Sequence, residues 1–146
     1  DVFLFNGRSV SQAKNLISAV NKENSNYVKD LKFGMSAFVI CRDTDSEAVE
    51  ELERLSSSLG ISETLEGVDR EAIHKKTSSR SKGIGSNGGI AAGLVGSPET
   101  IADRMREFNS EGVEVFLLQF HPMFEEIERF SREVLPILGI GKGQKN

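Results

Sequence analysis

Gly93-Leu94-Val95-Gly96-Ser97-Pro98-Glu99-Thr100-Ile101-Ala102-Asp103-Arg104-Met105-Arg106-Glu107-Phe108, followed closely by Val115-Phe116-Leu117-Leu118-Gln119-Phe120-His121-Pro122, decides the reading of this chain. It describes two successive strand-to-helix units. Ser97 can cap a helix with its hydroxyl, Pro98 suits the first helical position because its missing N–H would be unpaired there, and Glu99 complements the positive helix end. Gly112 then breaks the helix, and the short apolar run after it leads to a second helix opened by Pro122. In that helix Phe124, Ile127, Phe130, Val134 and Leu138 recur every three or four residues. The order is βαβα with a buried parallel strand.

Working upstream, Val2 to Phe5 is an apolar run ending at Asn6-Gly7, expected of a strand buried on both faces. A helix from about Ser9 to Lys22 presents Ala13, Leu16, Ile17 and Val20 inward. Phe33 to Cys41 is a second strand. Thr44-Asp45-Ser46-Glu47 has capping-box spacing, so a helix opens there and buries Val49, Leu52, Leu55 and Leu59. A weaker, charged helix spans Ser62 to about Lys76. Residues 77–89, thick in Ser, Gly and Asn, form a mobile loop, and the Gly-rich tail 139–146 is flexible. The count is four strands, each followed by a helix and pairing side by side in chain order, because consecutive βα units normally neighbour one another.

A chain of 146 residues suffices for one domain, 1–146, burying roughly 70% of its unfolded surface. A closed (β/α)8 barrel typically needs about 250 residues. The fold class is therefore α/β with four parallel βα units, too few to close such a barrel. A net charge of -4 and a pI near 5.3 provide no basic stripe for nucleic acid or an anionic membrane. Apolar stretches are strand-sized and the amino terminus lacks the basic start of a secretory signal, so a cytoplasmic protein is expected. Cys41 is the sole cysteine, which excludes an internal disulfide and a cysteine metal cluster. With no His-x-x-His and no carboxylate cluster of metal spacing, no metal site is expected.

The run from Gly93 to Leu138 resembles the carboxyl-terminal end of the luciferase-like, flavin-dependent monooxygenases, especially the branch that oxidises alkanesulfonates and dimethyl sulfone. Leu-Val-Gly-Ser-Pro-Glu-Thr, an aromatic- and Leu-rich strand, Pro-x-x-Glu-Glu, Arg129-Phe130 and Leu135-Pro136-Ile137-Leu138 occur in one order. A weaker likeness extends upstream through Lys32-Phe33-Gly34-Met35 and Cys41-Arg42-Asp43-Thr44. The resemblance implies that the four units form the carboxyl-terminal half of a TIM-barrel-like (β/α)8 fold, strands five to eight of the barrel. It also implies oxygenation driven by reduced FMN (FMNH2), which a separate NAD(P)H-dependent FMN reductase delivers, with O2 and a small organosulfur substrate.

Candidate site residues follow. His121, just after the fourth strand, is the candidate catalytic acid or base; otherwise it is a strand-end residue beside Pro122. The sulfonate enzymes have a tyrosine at that place. Where they resemble Gly-x-Arg-x-His, this chain reads Gly34-Met35-Ser36-Ala37-Phe38. Ser36 is then a candidate substrate contact, and Phe38 either lines the flavin pocket or packs in the core. Asn6 either hydrogen-bonds flavin or forms a turn with Gly7. Asn87, in the loop that closes over flavin and substrate in the family, stands where sulfonate enzymes carry an arginine, so a neutral sulfone is the expected substrate. Arg80 and Lys82 lie further upstream.

Other features have plainer readings. Gly83-x-Gly85-x-x-Gly88 lacks the strand and helix of a dinucleotide fingerprint. His74 sits in a charged helix and reads as surface. Glu125, Glu126 and Glu128 with Arg129 read as a solvated helix start. The alternative to an enzyme needing an amino-terminal half is an inactive truncated half-barrel that binds a partner or self-associates as a homo-oligomer through its open edges.

Overall fold

The structure, a computed structural model of the chain, describes residues 1–25, 30–58 and 86–141. Its centre is β2 (Lys32–Cys41), whose residues after Lys32 are all buried. β1 (Val2–Phe5) and β4 (Val113–Gln119) both pair with residues 33–35 of β2, which puts them on its opposite edges. β3 (Leu94–Gly96) pairs with Val39–Cys41. All pairings are parallel, as expected of βα units. The expected strand order is corrected in one respect: β4 lies against β2, not against β3. β3 spans only three residues and covers only the end of β2, so residues 33–38 keep an edge on which β4 forms its ladder.

The helices start where the cap residues dictate. Ser9 and Gln12 form a reciprocal capping box at α1 (Val10–Asn24), with hydrogen bonds of 3.3 and 3.2 Å. Thr44 and Glu47 do the same at α2 (Asp45–Ser58), at 3.0 and 3.2 Å. Ser97 caps α3 (Pro98–Ser110) by accepting from the Thr100 N–H, with Pro98 in the first turn. α4 (Met123–Glu133) follows Pro122 without a side-chain cap. A 3-10 helix, Ser86–Ala92, covers the last residues of the expected loop 77–89. The rest of that loop, the 62–76 helix with His74, and Arg80 and Lys82 lie outside the described residues, as do 142–146 of the tail.

Alternation along β2 divides the molecule into two faces. Phe33, Met35, Ala37, Val39 and Cys41 point into the larger core, which α1, α3 and α4 close with Ala13, Ile17, Ile101, Phe108, Phe130 and Val134. Phe38 and Ile40 point the other way, into a smaller cluster with Ala48, Val49 and Leu52 of α2, Ile90 and Val95. Below that cluster the inner face is open. Val2, Leu4 and Leu117 are 48, 56 and 56% exposed, so β1 and β4 are not buried on both faces as their apolar runs suggested. Phe124, 81% exposed, also departs from the inward stripe expected of α4, whereas Phe130 and Val134 keep to it.

Two glycines are dictated by close approach. A Cβ on Gly89 would stand 2.8 Å from the Phe38 amide nitrogen, so glycine lets the 3-10 helix lie on the β2 backbone. Gly96 has φ +151° and a Cβ there would meet Asp45 Oδ1 and Thr100 Cγ2, both at 2.7 Å. That Asp45 oxygen accepts the Ser97 N–H at 2.7 Å, tying the β3–α3 turn to α2. Gly96→Ala should therefore cost about 2 kcal/mol or more, through a strained φ and a displaced Asp45. A denaturant midpoint equal to that of the parent protein would contradict this packing.

Candidate active site

Four of the predicted site residues, Asn6, Ser36, Phe38 and His121, fall by register between the middle and the carboxyl end of β2. Phe5 pairs with Met35, so Asn6 stands one residue further, level with Ser36 on the β1 side. Leu117 pairs with Ser36 and Gln119 with Phe38, so His121 stands two residues beyond Phe38 on the β4 side. Asn6 and His121 are exposed and flank the strand that carries Ser36 and Phe38. No hydrogen bond among the described residues joins these four.

Each has its own surroundings. Ser36 is 6% exposed, and its Oγ has no hydrogen-bond partner among the described residues. A buried, unsatisfied hydroxyl costs roughly 1–3 kcal/mol, so such a group marks a place where a ligand or water can be bound. Phe38 packs with Ile40, Val49 and Ile90 in the smaller cluster. The Asn6 carbonyl accepts the Arg8 Nε–H at 3.1 Å, and that guanidinium lies over the Phe5 ring. His121 precedes Pro122 through a cis peptide bond, and Phe120 before it meets the Phe130 ring at 5.5 Å. Asn87 is carried on the 3-10 helix.

The sequence reading missed a charged clasp at the same end of the sheet. Arg42, directly after β2, donates from Nη1 to both Glu126 carboxylate oxygens at 3.0 Å and meets Glu51 at 3.3 Å. Glu51 also takes a two-point contact from Arg54, 2.7 Å at each oxygen. Arg129 reaches Asp43 at 3.0 Å and Glu133 at 3.5 Å. Glu126 is 7% exposed, so the solvated helix start expected of Glu125, Glu126, Glu128 and Arg129 is corrected: Glu126 joins α4 to β2 and α2. Its spacing of four from Phe130, and of eight from Val134, was the available signal. Cys41 is fully buried beside this clasp; burial and the Glu133 carboxylate push its thiol up to about 12, which leaves it protonated and unreactive.

Among the described residues no group of three or more His, Cys, Asp or Glu is placed to hold a metal, and no helix is long and apolar enough to cross a membrane. The residues that are present can hold an organic group. Around Ser36 the inner wall is apolar, with Leu4, Gly34, Phe38, Val115 and Leu117 beside a hydroxyl that has no partner among the described residues, and Lys32, paired in register with Val2, brings the charge at its amino end. This suits a flat, largely apolar ring or an uncharged substrate.

Comparisons with known proteins give the family and the fold. The sequence profile of a family described as luciferase-like monooxygenase matches residues 1–114. A sulfoquinovose monooxygenase from Novosphingobium aromaticivorans is 27% identical over 161 aligned positions, which cover 97% of this chain and 44% of that protein. A riboflavin lyase, solved with a modified FMN and riboflavin, superposes with a TM-score of 0.65 at 16% identity, covering 99% of this chain and 40% of that one. A long-chain alkane monooxygenase gives 0.60 at 19%, over 99% of this chain and 38% of its own. The chain thus spans less than half the length of these relatives.

The clasp gives the folded protein an acid limit. The hydrogen bond from Arg54, with the charges of Arg42 and Arg54, holds the Glu51 carboxyl below its ordinary value against the opposing effect of burial. A depressed carboxyl stabilises the fold fully above its unfolded value and loses that contribution as pH falls through the folded value. Glu51→Gln should therefore be less stable than the parent at neutral pH. The gap between their unfolding midpoints should close on acidification below the ordinary carboxylate range. A gap that stays constant with pH would contradict the role given to Glu51.

Proposed function

We propose that this chain, which belongs to the luciferase-like monooxygenase family, forms the carboxyl-terminal part of an FMNH2-dependent monooxygenase acting on a small organosulfur compound. The observation that carries the reading is the buried Ser36 hydroxyl, which has no hydrogen-bond partner among the described residues, in an apolar stretch of the inner wall. A relative that acts on sulfoquinovose supports an organosulfur substrate. Bound reduced flavin would supply the electrons and the activation of O2, chemistry that no side chain of this protein provides.

The protein's own residues orient and shield. Phe38, packed against Val49 and Ile90, backs the wall beside the flavin ring, and Asn6 offers a polar side chain to its rim. Ser36 donates its hydroxyl proton as a hydrogen bond to an uncharged oxygen of the substrate, and Asn87 is the second substrate-binding residue of this reading. A neutral sulfone is preferred to a sulfonate because Ser36, Phe38 and Asn87 bring no fixed positive charge. The apolar wall excludes water and so strengthens each polar contact made within it. His121 holds or moves a proton at the mouth, at the ring nitrogen facing the substrate. Reduced FMN arrives from an NAD(P)H-dependent FMN reductase.

The test joins this chain to the amino-terminal half of a family member, by fusion or co-expression. Oxygenation should then require reduced FMN. His121→Ala should lower turnover by about 10²- to 10⁴-fold, the usual contribution of a proton-transferring group, while leaving the unfolding midpoint in place. Turnover unchanged by the substitution would remove His121 from the mechanism, and a parallel loss of folding would make it structural.

A further inference from the structure

Among the described residues the pairing of β4 stops at Gln119, so Phe120, His121 and Pro122 cross to α4 without a backbone ladder. Two side chains fix that crossing. The Phe120 ring meets Phe130, and Glu126, whose N–H donates to the Pro122 carbonyl at 3.3 Å, sets both carboxylate oxygens 3.0 Å from Arg42 Nη1. Arg42 is itself a fixed point. Its N–H donates to the Gly96 carbonyl at 3.2 Å, its Nη1 to the Cys41 carbonyl, and its Nη2 lies 3.3 Å from Glu51 of α2. The second link from α4, Arg129 to Asp43, ends on a side chain that is 80% exposed, whereas those of Arg42 and Glu126 are 21 and 10% exposed. Water and salt screen the outer pair far more than the inner one.

Glu126 is the one buried residue of α4 before Phe130, since Met123 and Phe124 ahead of it are exposed. The start of the helix is thus held by charge where an apolar side chain would have served for burial. A buried ion pair roughly breaks even in stability with apolar residues of the same volume, and its best attested use is to select one register among several. The register selected here is that of the turn carrying His121. We propose that Glu126, held by Arg42, is a positioning residue for His121: the pair sets the β4–α4 turn so that the imidazole stands at the mouth of the wall formed by Ser36 and Phe38. The inference rests on the role proposed for His121 and names the residues that place it. Arg42, through Glu51 and the Gly96 carbonyl, ties that placement to α2 and β3.

The chain joined to an amino-terminal half tests it. Glu126→Gln keeps the shape of the side chain and removes its charge; it should lower kcat by about 10- to 10²-fold with KM nearly unchanged. In a His121→Ala background the same substitution should change kcat by less than about twofold, because a residue that acts through His121 then has nothing left to place. Val134→Ala, which opens a cavity under the same helix, should lower the unfolding midpoint and leave kcat unchanged, separating placement from stability. Relaxation dispersion at the His121 amide needs no turnover: millisecond exchange should appear in Glu126→Gln and be absent from the parent. Equal effects of Glu126→Gln with and without His121, or a His121 amide as free of exchange in the variant as in the parent, would each overturn the proposal. A joined parent that oxygenates nothing with reduced FMN would refute the flavin reading instead, and the amide measurement would still decide the placement.

Discussion

Parallel pairing to β2 is the constraint on which the rest of the molecule depends. Every other strand hydrogen-bonds to it: β1 and β4 at its beginning on opposite edges, and β3 at its end. Buried backbone N–H and C=O groups must be paired, and a strand buried over nearly its whole length meets that requirement only between neighbours. Because parallel neighbours need long crossovers, the helices follow as a consequence: α1, α3 and α4 gather on the face that Phe33, Met35, Ala37, Val39 and Cys41 present, and α2 covers Phe38 and Ile40 on the other.

The same alternation that builds the core leaves the site. Moving one residue along β2 passes from Met35, fully buried among helices, to Ser36, whose hydroxyl has no partner among the described residues. Gly34 and Gly89 keep backbones close where a side chain would collide with Leu4 or with the Phe38 amide. The ion-pair clasp of Arg42 with Glu126 and Glu51 fixes α2 and α4 to the strand end where function is proposed. Breaking a largely buried pair costs about 3–5 kcal/mol because one charge is left unpaired, so the clasp gives that end of the sheet its rigidity.

Local rules were legible in the sequence and long-range partners were not. Ser97-Pro98-Glu99 and Thr44 with Glu47 mark their helix starts because caps act within four residues. Phe33 to Cys41 is a strand for the same local reason. The exposure of Leu4 and Leu117 was hidden, since an apolar run states what a strand could bury and not which faces find a cover. The pairing of β4 with β2 was hidden because nothing in residues 94–96 says that β3 is too short to stand between them. Glu126 read as solvated because its partner Arg42 lies 84 positions away. Register places Asn6, Ser36, Phe38 and His121 between the middle and the carboxyl end of β2, an order that the parallel alternation of strands and helices dictates.

The central claim is that the inner face around Ser36, between Asn6 and His121, carries the flavin and substrate, while the face that Met35 presents to α1, α3 and α4 is core alone. Amide NMR of the labelled chain joined to an amino-terminal half, titrated with FMN, tests it most directly. The account predicts shift changes centred on Asn6, Ser36, Phe38 and His121. Changes confined to the helix-covered side, around Ala13, Met105 and Phe108, would contradict it.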